Sequence, residues 1–389
     1  MSLIKIFKRN EKGSITLMLL AAMIFVLVVI TASYFAISNK SGNQDKKISK
    51  IAQQYRASDE DMDQEYRNTL NNASLTIEQA QSKGMFEKTT NTELVDAYEN
   101  QIVVPAGFRI TEDAKYVTQG VVIEDKAGNQ FVWIPVGNIY TDVEKTESGK
   151  KTIALGRYEF AEDGTPREYS GNYTEDTVDS HDIGCNNAIA KDIDAFKNSV
   201  NINHGYYIGR YEAGVTGYDS VLTSNSNGET NWTGYTGDNT QLVCKSEQQV
   251  WNYVTQNKAS ELSRSMYTSS KFTSDLINSY AWDTAIVFIQ EFSGDVDYAR
   301  QIRLQSTLTN TGNATDGMNC DVRCNIYDMA GNCSEWTTES YNFLTNACVI
   351  RGSDYSDSYG DYYTCRRRTP SNIESTSIFS FRSLLYIEN

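Results

Sequence analysis

The stretch Tyr327-Asp328-Met329-Ala330-Gly331-Asn332-Cys333-Ser334-Glu335-Trp336 decides how the rest of the chain is read. Gly331-Asn332 is a turn-forming pair, because both residues tolerate the left-handed backbone region. Asp328 and Glu335 set a carboxylate on either side of it. Trp336 stands where a strand restarts and is expected in the core. Calcium takes six to eight oxygens, carboxylates mixed with backbone carbonyls of a tight loop. Asp328 and Glu335 can supply the carboxylates, and Gly331 and Cys333 the carbonyls between them. The rival reading is a plain corner turned by Gly331-Asn332 and capped by Glu335. One loop cannot fill the calcium sphere unaided, so both readings stand at this point.

Working outward, the neighbouring segments alternate between strands and helices. Tyr116–Asp125, Ala127-Gly128-Asn129 and Phe131–Val136 read as a hairpin. A polar segment over 138–203, rich in Asp, Glu, Thr and Gly and with little periodicity, is expected to form surface loops. Gly205–Ala213 reads as a strand. Val250–Met266 is expected to be helical, with Ala259, Leu262 and Met266 on one face. Ser279–Phe292 is the second helix, with Ala281, Trp282, Ala285, Ile286 and Ile289 sharing a face. Strands at Ala347–Gly352 and Phe379–Ile387 close the chain. Short strands, two helices and long loops predict an α+β domain over 89–389.

Taken in order, the segments FVWIPVG, GYYIGRYEAG, NIYDMAGNCSEWT, VIRGS and FSFRSLLYI resemble the formylglycine-generating enzyme family, the sulfatase-modifying factor domain. The resemblance runs from about Val103 to the end and implies a variant of the C-type lectin fold. It also implies that Asp328, Gly331, Cys333 and Glu335 match a calcium site of the family. The match is divergent: Ser334 replaces the first Trp of the family's G-N-x-W-E-W, Gly352-Ser353-Asp354 stands for G-G-S, and Ser380-Phe381-Arg382 for G-F-R.

Enzymes of that family use a reactive cysteine pair that handles copper and oxygen, placed shortly after the G-G-S strand. Thiolates are the soft ligands that hold monovalent copper. Here the corresponding stretch, Asp354–Thr364, contains no cysteine, and Cys365 follows alone. No G-x-S-x-G, H-E-x-x-H or phosphate-binding glycine loop appears either. The chain is therefore expected not to be an enzyme. What the stretch offers is contact chemistry, with tyrosines spaced by small polar residues and followed by Arg366-Arg367-Arg368, as on binding loops rich in Tyr, Ser and Gly. It resembles the changeable ligand face of lectin-fold variable proteins. Tyr355, Asp357, Tyr359, Asp361, Tyr362, Tyr363 and Arg367 are the expected contact residues. The plainer alternative is a solvated loop without a ligand.

The seven cysteines are odd in number and irregularly spaced, with no C-x-x-C, and there are only two histidines, so a zinc site is not expected. One or two disulfides would suit an exported domain. A formal net charge of -15 excludes nucleic acid as the main partner, because phosphate binding needs a basic face.

The amino terminus carries an address. Ile15–Ile37 is an uncharged apolar run of about 23 residues, long enough to cross a bilayer as a helix. Lys5, Lys8, Arg9 and Lys12 precede it, so the positive-inside rule sends everything after it outward. The segment Lys12–Leu17, KGSITL, resembles the processing site of type IV prepilin-like proteins. The resemblance implies cleavage between Gly13 and Ser14, although Met18 stands where pilins usually carry the glutamate that orders assembly. The expected organisation is a basic leader over 1–13, a membrane helix over 14–38, a helical stalk over 39–88 and the globular domain beyond. This describes a single-pass protein of the bacterial cell membrane with its C-terminal domain outside, an adhesin-like or variable binding protein for an extracellular protein or glycan. Two rivals remain: a minor pilin or pseudopilin with a structural tip, partnering pilus or secretion-system proteins, and a modifying enzyme with an unrecognised site.

Overall fold

The computed structural model describes residues 76–83, 88–175, 192–302, 307–313, 321–341, 348–357 and 363–388. These belong to a compact unit spanning Ser74–Asn389. The apolar run Ile15–Ile37 and the Gly13-Ser14 site lie outside the described residues. Among the described residues, no helix is long and apolar enough to cross a membrane.

Two sheets organise the unit, and the fold is α+β. Their strands are β1 (Phe108–Ile110), β2 (Val122–Asp125), β3 (Gln130–Pro135), β4 (Tyr173–Thr174), β5 (Gly205–Gly209), β6 (Phe272–Leu276), β7 (Ser334–Tyr341), β8 (Cys348–Arg351), β9 (Arg367–Arg368), β10 (Phe379–Phe381) and β11 (Ser383–Ile387). The first sheet is antiparallel throughout, in the order β6-β11-β5-β3-β2-β1. The second runs β4-β7-β8-β9, with β10 lying parallel to β7.

Both faces of the first sheet are buried, which is why its strands read as unbroken apolar runs. Side chains alternate across the sheet. Val132, Ile134, Tyr206, Ile208, Leu384 and Tyr386 face a core built with two helices, α2 (Ile193–Asn203) and α4 (Ser279–Phe292). Phe131, Trp133, Tyr207 and Leu385 face the opposite core, where Ile77 and Ala80 of helix α1 (Ile77–Lys83) pack with Phe108 and Ile110. Gly205 permits the closest strand approach, because a Cβ there would lie 2.3 Å from the Trp133 ring. A third core, holding Trp336, Ile350, Phe379, Phe381 and Trp251, belongs to the second sheet and to helix α3 (Gln256–Ser265).

The hairpin and α4 match the sequence expectation, and α4 starts on an Asn278 N-cap that accepts from the Ala281 N–H at 2.9 Å. Three boundaries differ. The expected helix over 250–266 is confined to α3, because Val250 pairs instead with Gly214 in a small sheet. The segment 138–203 is not all loop: it holds two hairpins, β4 and α2, whose Phe196 and Val200 are buried. Finally, α1 lies within the expected stalk but packs on the domain, with Gln81 donating to the carbonyls of Thr111 and Ala114.

The closing run is divided between the two sheets. Its Phe379–Phe381 half lies on β7, and its Ser383–Ile387 half lies between β5 and β6. Arg382 sits at the changeover with no solvent exposure.

Candidate recognition site

The turn over 328–333 is buried and held from several sides. Asp328 and Asn332 adopt left-handed backbone conformations, with φ of 57° and 55°, as short polar side chains can. The Asn332 side-chain amide donates to Glu212 and its oxygen accepts from the Thr309 N–H at 3.0 Å. Glu212 also accepts from the Cys333 N–H at 2.9 Å. Ser353 donates to the Ala330 carbonyl at 2.7 Å, and the Tyr355 N–H to the Asn332 carbonyl at 2.9 Å. The turn is thereby joined to the segment that follows β8.

Arg382 secures this arrangement from below. Its guanidinium donates to both carboxylate oxygens of Glu335 at 2.6 and 3.1 Å, to the Gly209 carbonyl at 2.8 Å and to the Tyr327 carbonyl at 2.7 Å. Arg382 therefore meets the charges of Glu335 and Glu212, and Asp328 is buried close enough to Glu212 to act on it. Burial, then the charges of Asp328 and Glu335, push Glu212 well above the usual carboxylate range. Burial also raises Glu335, against the pull of Arg382.

Of the four positions expected for calcium, Asp328, Gly331 and Cys333 lie in the buried turn and Glu335 lies at the start of β7, also buried. Both Glu335 oxygens are engaged by Arg382, and among the described residues no group of three or more His, Cys, Asp or Glu is arranged to hold a metal ion. The Glu335–Arg382 pair competes with a cation for that carboxylate.

A second buried cluster lies under β8 and β9. Arg351 and Arg367 both bridge Asp283 and Glu339, and Arg157 donates to Glu339 and to the Tyr173 carbonyl. Burial alone would raise Glu339, but the charges of Arg367, Arg351 and Arg157 hold it below its ordinary value. Nearby, Glu175 accepts from the Ser279 N–H at the start of α4 and from the Thr338 hydroxyl, both at 2.6 Å. Burial, then the Glu339 charge, raises its pKa to about 7.

The expected contact residues divide. Tyr355 is half-buried, its hydroxyl 2.8 Å from that of Ser377. Tyr363 is half-buried beneath the Arg300 guanidinium, 3.8 Å from its ring centre. Asp357 is buried and closes a tight turn by accepting from the Asp354 N–H at 2.9 Å. Arg367 points inward: its head group engages Asp283, Glu339 and the Tyr158 carbonyl and lies 4.2 Å from the centre of the Tyr169 ring. Tyr359, Asp361 and Tyr362 lie outside the described residues.

Among the described residues, Cys244, Cys324, Cys333 and Cys365 are free thiols, and Cys348 is disulfide-bonded. Burial raises all four thiols, Cys244 to about 11 and Cys324 to about 12, with Cys333 well above its ordinary value. They are protonated near neutral pH, the state that neither attacks nor binds soft metals.

Sequence reasoning missed Glu212, Arg382, Asp283, Glu339 and Glu175. Arg382 carried a usable signal, being the lone charge within the apolar run Phe379–Ile387, where a buried partner is required.

No family model matches the chain, and no curated protein matches it. Among solved structures, one described as the crystal structure of CarF is 14% identical over 48% of this chain and 87% of that chain. Its TM-score is 0.29, too low to bear on the fold.

Proposed function

We propose that the chain is a cell-surface recognition protein. In this reading, a formylglycine-generating-enzyme-like lectin fold, without its sulfur chemistry, presents the 354–363 segment to an extracellular ligand. The observation that carries it is the rigid base beneath that segment. Asp354, buried, accepts from Arg368 at 3.1 Å and from the Ser356 N–H at 3.0 Å, and the 328–333 turn anchors Tyr355. A fixed base beneath tyrosine-rich sequence suits contact chemistry, because aromatic side chains offer large contact area at low side-chain entropy cost. Tyr355, Tyr359, Asp361, Tyr362 and Tyr363 are the contact residues of this proposal, with Asp357 and Arg367 shaping the loop from within.

Four protonated thiols support a non-catalytic reading, and a disulfide at Cys348 supports an oxidising exterior. The membrane helix over 14–38 and the Gly13-Ser14 processing site belong to the same proposal. So does calcium at Asp328, Gly331, Cys333 and Glu335. A rise in melting temperature with calcium that is reversed by a chelator and absent in Asp328→Ala would support it. The recognition reading is tested on glycan and protein arrays with the full chain in lipid nanodiscs. Binding that falls at least about tenfold in Tyr359→Ala or Tyr362→Ala is expected, an effect typical of aromatic contact residues. Binding indifferent to both substitutions, or none at all, would count against it.

A further inference from the structure

A broad polar cavity of about 620 Å³ lies on residues the recognition reading does not use. It is walled by the C-terminal end of α4 at Glu291 and Phe292, by Thr118 and Lys151, and by the turn carrying Arg323 and Asn325. Its size falls within the range of small-molecule sites.

The charges on its wall are matched. Lys151 pairs with Glu291 at 2.6 Å, Arg323 with Asp295 and Asp321, and Asp113 with Arg210 at 3.0 Å. A ligand gains little there through net charge. The paired groups still reach solvent, with the Lys151 and Glu291 side chains 46% and 35% exposed. Donors and acceptors therefore alternate around the cavity, and each hydroxyl of a polyol both donates and accepts. The half-buried Phe292 ring adds one apolar surface for the carbon face of such a molecule.

The walls are also fixed. Cys324 and Asn325 are consecutive non-glycine residues in the left-handed region, with φ of 49° and 62°. Asn325 donates to the Gly120 carbonyl at 2.8 Å, and a Cβ on Gly120 would lie 1.9 Å from the Cys324 carbonyl oxygen. Backbone held in such a conformation by its surroundings is a mark of functional sites.

We propose that this cavity binds a neutral saccharide of one or two units, with a ring against Phe292 and hydroxyls bridging the Lys151–Glu291 pair and Asn325. The test uses the full chain in lipid nanodiscs, which avoids glycoside detergents. Maltose, cellobiose and N-acetylglucosamine are the probes, and N-acetylneuraminate and glycine the charged comparators, read by saturation-transfer NMR and calorimetry. At least one neutral sugar should bind, and Glu291→Gln and Lys151→Gln should each weaken it about tenfold at unchanged melting temperature. Tyr362→Ala should leave that affinity intact. The proposal is overturned if no neutral sugar binds, if the charged comparators bind better, if both cavity variants bind as the parent does, or if Tyr362→Ala alone abolishes binding.

Discussion

Glu339 and Glu212 are both carboxylates hidden from solvent, at 0% and 1% exposure, yet their affinities for a proton move in opposite directions. Burial acts alike on the two. The surroundings differ: Arg157, Arg351 and Arg367 converge on Glu339, whereas at Glu212 the charges of Asp328 and Glu335 outweigh that of Arg382. The ratio of cation to anion, more than depth, decides whether a buried acid is ionised. One region is thereby a cross-link of full charges and the other a network that disfavours charge on Glu212.

The strongest way to break this contrast is at its scarcest cation. Arg382→Met should destabilise the domain by about 4 kcal/mol in urea melts, because Glu335 is left buried without its partner. Glu339→Gln comes next, at about 3 kcal/mol, with Arg351 and Arg367 left to share Asp283 and Arg157 deprived of its carboxylate.

The pH dependence sharpens the contrast. Glu175 has a pKa of about 7 in the folded state against an ordinary 4.5, so it binds its proton more tightly when folded. Its contribution to stability is complete below pH 4.5 and is lost as pH rises through 7. Glu175→Gln should therefore be more stable than the parent at pH 8, by about 2 kcal/mol, and nearly equal to it at pH 4. Glu339 has the opposite sign, since its depressed value gives stability that is lost as pH falls. The smallest effect is expected at Glu212→Gln, within about 1 kcal/mol at pH 7, because burial and the charges of Asp328 and Glu335 already disfavour its ionised form. A loss as large as that of Glu339→Gln would erase the distinction between the two clusters.

The sheet-forming runs were legible because burial on both faces leaves Phe131–Pro135, Gly205–Gly209 and Ser383–Ile387 almost continuously apolar. Helix α4 was legible for a similar reason, through its full apolar face. Helix α2 was not, because only Phe196 and Val200 of its apolar residues are buried, too thin a stripe within a polar segment. The Arg366-Arg367-Arg368 run reads as three equivalent surface cations. Arg367 instead meets Asp283, which is far away in sequence, and Arg368 meets Asp354. Composition announces that a charge is present, while its partner is chosen by topology.

The last nine residues of the closing run, Phe379–Ile387, complete both sheets, and the final strand is an interior one. A chain that lacks them exposes Tyr207 and Leu276 along an open seam, so neither sheet is complete without this segment. A copy truncated before Phe379 is therefore expected to lack the native packing of both sheets and to be cut readily by proteases.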